Sequence, residues 1–227
     1  MRRLIEIWPS SGRDRPGRDE FALVIDRRRR FRVLIVPPLL AEMNRMRRLI
    51  ATTMRALDVH GIDSFAPDLP GTNESAAPLY SQSLHAWRTV MERAARHFTA
   101  THVLAVRGGA LIFPNVLPGW VLEPVSGAAI LRQMVRARVV AAREHGEHAD
   151  SAALIEMGRT EGLMLSGYDL GPALVAGLET ARPLDEGQRQ IHQSELGGAA
   201  LWMRAEPGDD PAQAVRLADI IASGITA

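Results

Sequence analysis

The chain of 227 residues contains no cysteine and no lysine. Without cysteine there is no disulfide, no thiolate metal cage and no thiol nucleophile. Without lysine all 27 basic residues are arginine. A Schiff-base lysine, a phosphate-loop lysine and a Ser–Lys dyad are therefore excluded. No apolar run approaches the roughly 18 residues that a membrane-spanning helix needs. The opening Met1-Arg2-Arg3-Leu4-Ile5 is broken by Glu6, Pro9 and a charged stretch from Arg13, which is not a secretory pattern. The cytoplasm is the expected location. Excess charge of either sign is also missing: 27 basic residues face 26 acidic ones, for a net charge of +1. That balance argues against a dedicated nucleic-acid binder. What remains is an ordinary globular composition, 46% hydrophobic and 23% charged, of a length that suits one domain.

The apolar pattern predicts two early strands, Arg3–Trp8 and Phe21–Ile25, around a turn-rich loop at Ser10–Gly17. Arg27–Arg30 then reads as a solvated hairpin tip, or as a phosphate or acidic-lipid patch. Phe31–Val36 is a buried strand stopped by Pro37-Pro38. Met43, Met46, Leu49, Ile50, Met54 and Leu57 recur at helical spacing over Glu42–Val59. Further strands are expected at Ile62–Ala66, His102–Val106, Trp120–Leu122 and Ala199–Met203. Helices are expected at Leu79–Phe98, Ala128–Ala142 and Ala212–Ser223, the last capped by Asp210 with Pro211 at its first position. A short helix at Ala110–Phe113, another at Ala153–Thr160, a strand at Leu163–Leu165 and a turn into Gly171–Leu178 complete the series. Alternation of this kind predicts a single α/β domain over 1–227, its central sheet mostly parallel and flanked by helices. A small cap or excursion is expected at about 144–190. Ligands of such sheets lie beyond the carboxyl ends of the strands. The loops 37–44, 68–75, 107–110 and 123–127 are therefore the places to look.

Two segments narrow the reading. Pro37-Pro38-Leu39-Leu40-Ala41-Glu42-Met43-Asn44, with Arg47-Arg48 beyond it, and Asp68-Leu69-Pro70-Gly71-Thr72-Asn73-Glu74-Ser75 both resemble the exosortase A system-associated hydrolases. These are α/β-hydrolase-like proteins of Gram-negative exopolysaccharide and protein-sorting loci. Glu123-Pro124-Val125-Ser126-Gly127 and Ser166-Gly167-Tyr168-Asp169-Leu170 are similar to their hydrolase 2 branch. The resemblance spans residues 20 to 180. It implies an α/β-hydrolase-like sheet and a role near exopolysaccharide synthesis or exosortase-linked export. Because one strand is wanting before Ala227, the sheet is expected to be shortened at the C-terminus.

A hydrolase of that fold places its nucleophile at a sharp strand-to-helix turn, G-x-S-x-G. Here the turn reads Ala105-Val106-Arg107-Gly108-Gly109, and a guanidinium cannot attack a carbonyl. The resembled branch carries Arg at this turn as well. The triad acid should follow the penultimate strand, where Glu206, Asp209 and Asp210 stand. Asp210 reads better as a helix cap. The triad base should follow one strand later, yet the last histidine, His192, precedes Ala199–Met203. No Ser-His-Asp order survives.

Two readings of Arg107 stay open. With the amides of Gly108 and Gly109 it could receive an anion. Alternatively it pairs internally with Glu42, Asp68 or Glu123 on the same rim. Glu42, Asn44 and Asp68 join Arg107, Gly108 and Gly109 as candidate ligand-binding residues. Ser126 is the alternative nucleophile and otherwise a helix cap. His60, His85, His97 and His102 read as surface or cap residues. His145 and His148, three apart around Gly146, read as a loop and not as a metal site. No cofactor and no metal is expected. The leading function is a non-catalytic binding or accessory protein for a small anionic or acyl ligand. An esterase, thioesterase or acyltransferase with a displaced nucleophile is the alternative. A third reading is docking of a protein partner, or of a second copy, along an exposed sheet edge.

Overall fold

The computed structural model describes residues 5–10, 19–114, 117–183, 187–204 and 206–226. Past Ser10, the loop expected at 10–17 lies outside the described residues. The chain runs through β1 (Ile5–Pro9), β2 (Asp19–Ile25), β3 (Arg32–Val36), α1 (Ala41–Val59), β4 (Asp63–Pro67) and α2 (Leu84–His97). It continues with β5 (His102–Val106), β6 (Gly119–Leu122), α3 (Gly127–Glu144), α4 (Ser151–Thr160), β7 (Leu163–Leu165) and β8 (Tyr168–Leu170). The last elements are α5 (Pro172–Thr180), β9 (Gln188–Ile191), α6 (Gln193–Leu196) and α7 (Pro211–Thr226).

Seven strands form one sheet in the order β1-β2-β4-β3-β5-β6-β9. The β1–β2 and β2–β4 pairs are antiparallel, and the remaining pairs are parallel. The central strands β3 and β5 each begin half-buried and are then buried throughout. They read as continuous apolar runs because helices cover both of their faces. On one face lie α1 and α7, with Met46, Leu49, Met54 and Leu57 packed on Ile35, Leu104 and Leu217. The other face carries α2, α3 and α5, with Trp87, Met91, Leu131 and Leu174. The periodicity read for α1 is thus its core face.

The segment between α3 and β9 supplies α4, the β7–β8 hairpin and α5. The hairpin turn uses Ser166 and Gly167 at positive φ (50° and 82°), which suits the tight two-residue connection. Leu163, Leu165 and Leu170 sink into the same cluster as Leu39 and Leu40. The Tyr168 hydroxyl donates to the Leu40 carbonyl at 3.1 Å. This segment therefore packs onto the turn that follows β3.

Two expectations need correction. Arg27–Arg30 is not a hairpin tip, because β4 lies between β2 and β3. The segment crosses the amino end of β4. Arg27 and Arg29 both hold Asp58, and Arg32 bridges Asp26 and the fully buried Asp63. Hydrogen bonding to Arg32 holds the Asp26 carboxyl down at about 2. Ala199–Met203 is not a strand. Gly197 and Gly198, at φ 73° and 68°, turn the chain away, and Leu201–Met203 forms a single 3-10 turn. The last strand of the sheet is instead β9, reading Gln-Arg-Gln-Ile.

Candidate functional site

Sheet register brings the rim together. Val106 pairs with Leu122, and Leu122 pairs with Ile191. The next residues, Arg107, Glu123 and His192, therefore emerge side by side at the carboxyl edge. Arg107 takes φ 54° and Glu123 takes φ 44°. At the end of β3, Leu40 has φ 53° and ψ −126° as it enters α1. A non-glycine residue held at positive φ costs roughly 1–3 kcal/mol. Three such residues at three neighbouring strand ends define a row of sharp turns.

Arg107 stands directly after β5. Its Nε and Nη2 donate to the two carboxylate oxygens of Glu42 at 3.1 and 2.9 Å. Its Nη1 donates to the Glu123 carbonyl at 3.0 Å. The Trp202 ring lies over the guanidinium at 4.4 Å. Arg45 from α1 donates to the Trp202 carbonyl at 3.1 Å and holds that turn in place. The Arg107 and Glu42 side chains are only 12% and 5% exposed. Glu42 stands in the first turn of α1, where the helix dipole favours its negative charge. The fork-on-fork geometry is the strong form of this ion pair. The bend that would carry an attacking oxygen thus carries a neutralised, stacked guanidinium.

Gly108 and Gly109 belong to the 3-10 turn Arg107–Ile112 and are buried. A Cβ on Gly109 would meet the carbonyl oxygens of Pro37 and Val36 at 2.6 and 2.7 Å. On Gly108 it would meet Ile130 Cδ1 at 2.7 Å. The two glycines are thus required by close packing of the turn against β3 and α3.

No family model matches the sequence, and no curated protein does. Solved structures do share its architecture. Est1E from Butyrivibrio proteoclasticus, determined with ferulic acid bound, aligns over 94% of this chain and 96% of its own, with TM-score 0.55 and 13% identity. The bottromycin epimerase BotH, in complex with bottromycin A2, aligns over 99% and 100% with TM-score 0.51 and 18% identity. An Agrobacterium vitis protein assigned only provisionally as a hydrolase aligns over 99% and 98%, with TM-score 0.50 and 14% identity. The chain has an α/β-hydrolase fold. At these identities the likeness is one of fold.

The other residues weighed for a triad are engaged locally. His192, set aside in the sequence because it precedes Ala199–Met203, follows β9 and so reaches the rim. Its Nδ1 lies 3.7 Å from Glu123 Oε1. The ring also accepts the Glu195 backbone amide while the Glu195 carboxylate accepts the His192 amide, a capping box for α6. The Glu195 carboxyl is held low by that backbone bond and by Arg189. Glu123 Oε1 accepts the Gln193 amide at 2.7 Å. Asp210 takes the Gln213 amide at the start of α7. Ser126 accepts the Ala129 amide at 3.3 Å and caps α3.

A hydroxyl does meet an imidazole at Thr101 Oγ1 and His102 Nδ1, 2.9 Å apart. That contact lies at the amino end of β5, where Thr101 also bonds both the amide and the carbonyl of Arg32. It straps β3 to β5 at the pole opposite the rim. His60, at the end of α1, pairs with Asp219 in the middle of α7 at 2.8 Å. Among the described residues, no group of three or more His, Asp or Glu is arranged to hold a metal.

Asp68 sits away from Arg107, in a cleft of about 340 Å³. Phe21, Leu23, Met43 and Ile50 are among its apolar lining, and Arg47, Asn73 and Glu74 line it with Asp68. Asn73 donates to Asp68 Oδ1. Burial raises the Asp68 carboxyl above its ordinary value, against the lowering influence of Asn73 and Arg47. The loop that carries it is pinned from below, because Trp87 Nε1 donates to the Pro70 carbonyl at 2.9 Å. Asn44 lies exposed on α1 and outside this lining.

Proposed function

We propose that this α/β-hydrolase-fold protein is a non-hydrolytic binding or accessory protein. The observation that carries the reading is the Arg107–Glu42 pair at the turn after β5. A permanent cation already engaged by a carboxylate offers no atom to form an acyl-enzyme. The ligand site we assign is the cleft at Asp68, of a size used for small molecules. Its apolar walls suit an acyl or similar chain, and Asp68, Asn73 and Arg47 suit a polar head. The resemblance of the Pro37–Asn44 and Asp68–Ser75 segments adds a role beside exopolysaccharide synthesis or exosortase-linked export. BotH, an epimerase by name, is a fold neighbour whose stated activity is other than ester hydrolysis.

Assay of the purified protein on p-nitrophenyl acyl esters and acyl thioesters tests this. The expected result is no turnover above buffer. Ser126→Ala should cost about 1 kcal/mol of stability as a lost helix cap, with the rates unchanged. Turnover that Ser126→Ala abolishes would establish the displaced-nucleophile enzyme instead.

A further inference from the structure

Most arginines near the sheet ends are paired: Arg27, Arg29, Arg32 and Arg107 all hold carboxylates. The exposed face of α3 is different. Arg132, Arg136 and Arg143 lie four and seven residues apart, on one side of the helix. Among the described residues none of the three makes an ion pair or a hydrogen bond. They line an open groove of about 670 Å³ between α3 and α4. Val139, Val140 and Ile155 supply its apolar walls, and no carboxylate lines it. Val140 is 48% exposed.

Such an arrangement is unfavourable in water. Like charges at i, i+4 repel, and an exposed valine between them gains nothing from solvent. Both features become favourable against a partner that is anionic and apolar together. We propose that the α3–α4 groove docks the protein onto an anionic phospholipid surface, the guanidiniums meeting phosphate headgroups and Val140 entering the hydrocarbon boundary. A soluble phosphate would engage the arginines and leave the apolar walls unused. A peptide would bring backbone donors, for which the groove offers little beyond the Ser151 hydroxyl. The net charge of only +1 makes the attraction local to this face. This site is separate from Arg107 and Asp68, and its test does not depend on the proposed function.

Co-sedimentation with vesicles provides that test. The full chain should sediment with phosphatidylglycerol–phosphatidylcholine vesicles and remain in solution with phosphatidylcholine alone. Added sodium chloride should release it, because headgroup attraction is screened. The triple variant Arg132→Gln, Arg136→Gln, Arg143→Gln should lower partitioning on the order of a hundredfold. Val140→Ser should lower it roughly tenfold. Circular dichroism and melting of both variants should match wild type, since the changed side chains are at the surface. No sedimentation with anionic vesicles, or undiminished sedimentation of the triple variant, would overturn the proposal. So would release by inorganic phosphate beyond that by chloride at equal ionic strength, which would make the ligand a soluble anion. Binding of an acidic amphipathic peptide in place of vesicles, lost in the triple variant, would overturn it in favour of a protein partner.

Discussion

Glu42→Ala should destabilise the fold by about 3–5 kcal/mol, read as a lower urea midpoint and a melting temperature lower by roughly 10 °C. The cause is the guanidinium left behind. Arg107 and Glu42 are nearly buried and face each other through two hydrogen bonds. Removing one charge leaves the other desolvated without its partner, which costs more than the pair contributes. Arg107→Ser should fall in the same range, because it strands the Glu42 carboxylate. That variant puts a hydroxyl at the bend, but the His192 ring on the same rim is engaged in the capping box of α6, so it should gain no esterase activity. The apolar double variant Glu42→Leu, Arg107→Met should recover a large part of the loss. Strong coupling of this kind is what a double-mutant cycle detects for groups in contact. Additive effects would mean that the two side chains do not meet in solution.

Trp87→Ala should cost about 4 kcal/mol or more by the same denaturation measurement. Trp87 is fully buried among the residues of the α2 face, so truncation leaves a large void. Its indole also satisfies the Pro70 carbonyl, and a buried acceptor left unpaired adds a further penalty of about 1–3 kcal/mol. Trp87→Phe keeps most of the packing and loses the hydrogen bond, so its cost should be smaller, about 1–2 kcal/mol. Both variants should speed amide exchange in the Asp68–Ser75 loop, where Gly71 donates to the Ser75 hydroxyl. Unchanged exchange there would show that the loop holds its shape without the indole.

How much of this was legible in the sequence varies from element to element. The strand His102–Val106 and its break at Arg107 were plain, since a compact apolar run ends on a cation and two glycines. The α/β alternation and the helical stripe of α1 followed from spacing alone. Glu42 was one of three carboxylates named as a partner for Arg107. Spacing could not choose among them, because that choice depends on how α1 enters from the strained turn at Leu40. The polar strand β9 was hidden. Only Ile191 of its four residues is buried, and an edge strand with one apolar contact carries no alternation to read. Ala199–Met203 took its place in the sequence reading because it is apolar, yet its Trp202 covers Arg107 and does not join the sheet. His192 was set aside for the same reason, since it precedes the segment read as the strand. Arg27–Arg30 misled because adjacency in sequence suggested a hairpin, while β4 intervenes between β2 and β3.

The most direct measurement is covalent. A fluorophosphonate reacts with a serine hydroxyl that a neighbouring base has activated, and intact mass reports each adduct. With Arg107 held by Glu42 and Ser126 spent on the Ala129 amide, the mass should stay unchanged after prolonged exposure. A stoichiometric adduct mapped to any serine of the native protein, and absent after unfolding, would contradict the account.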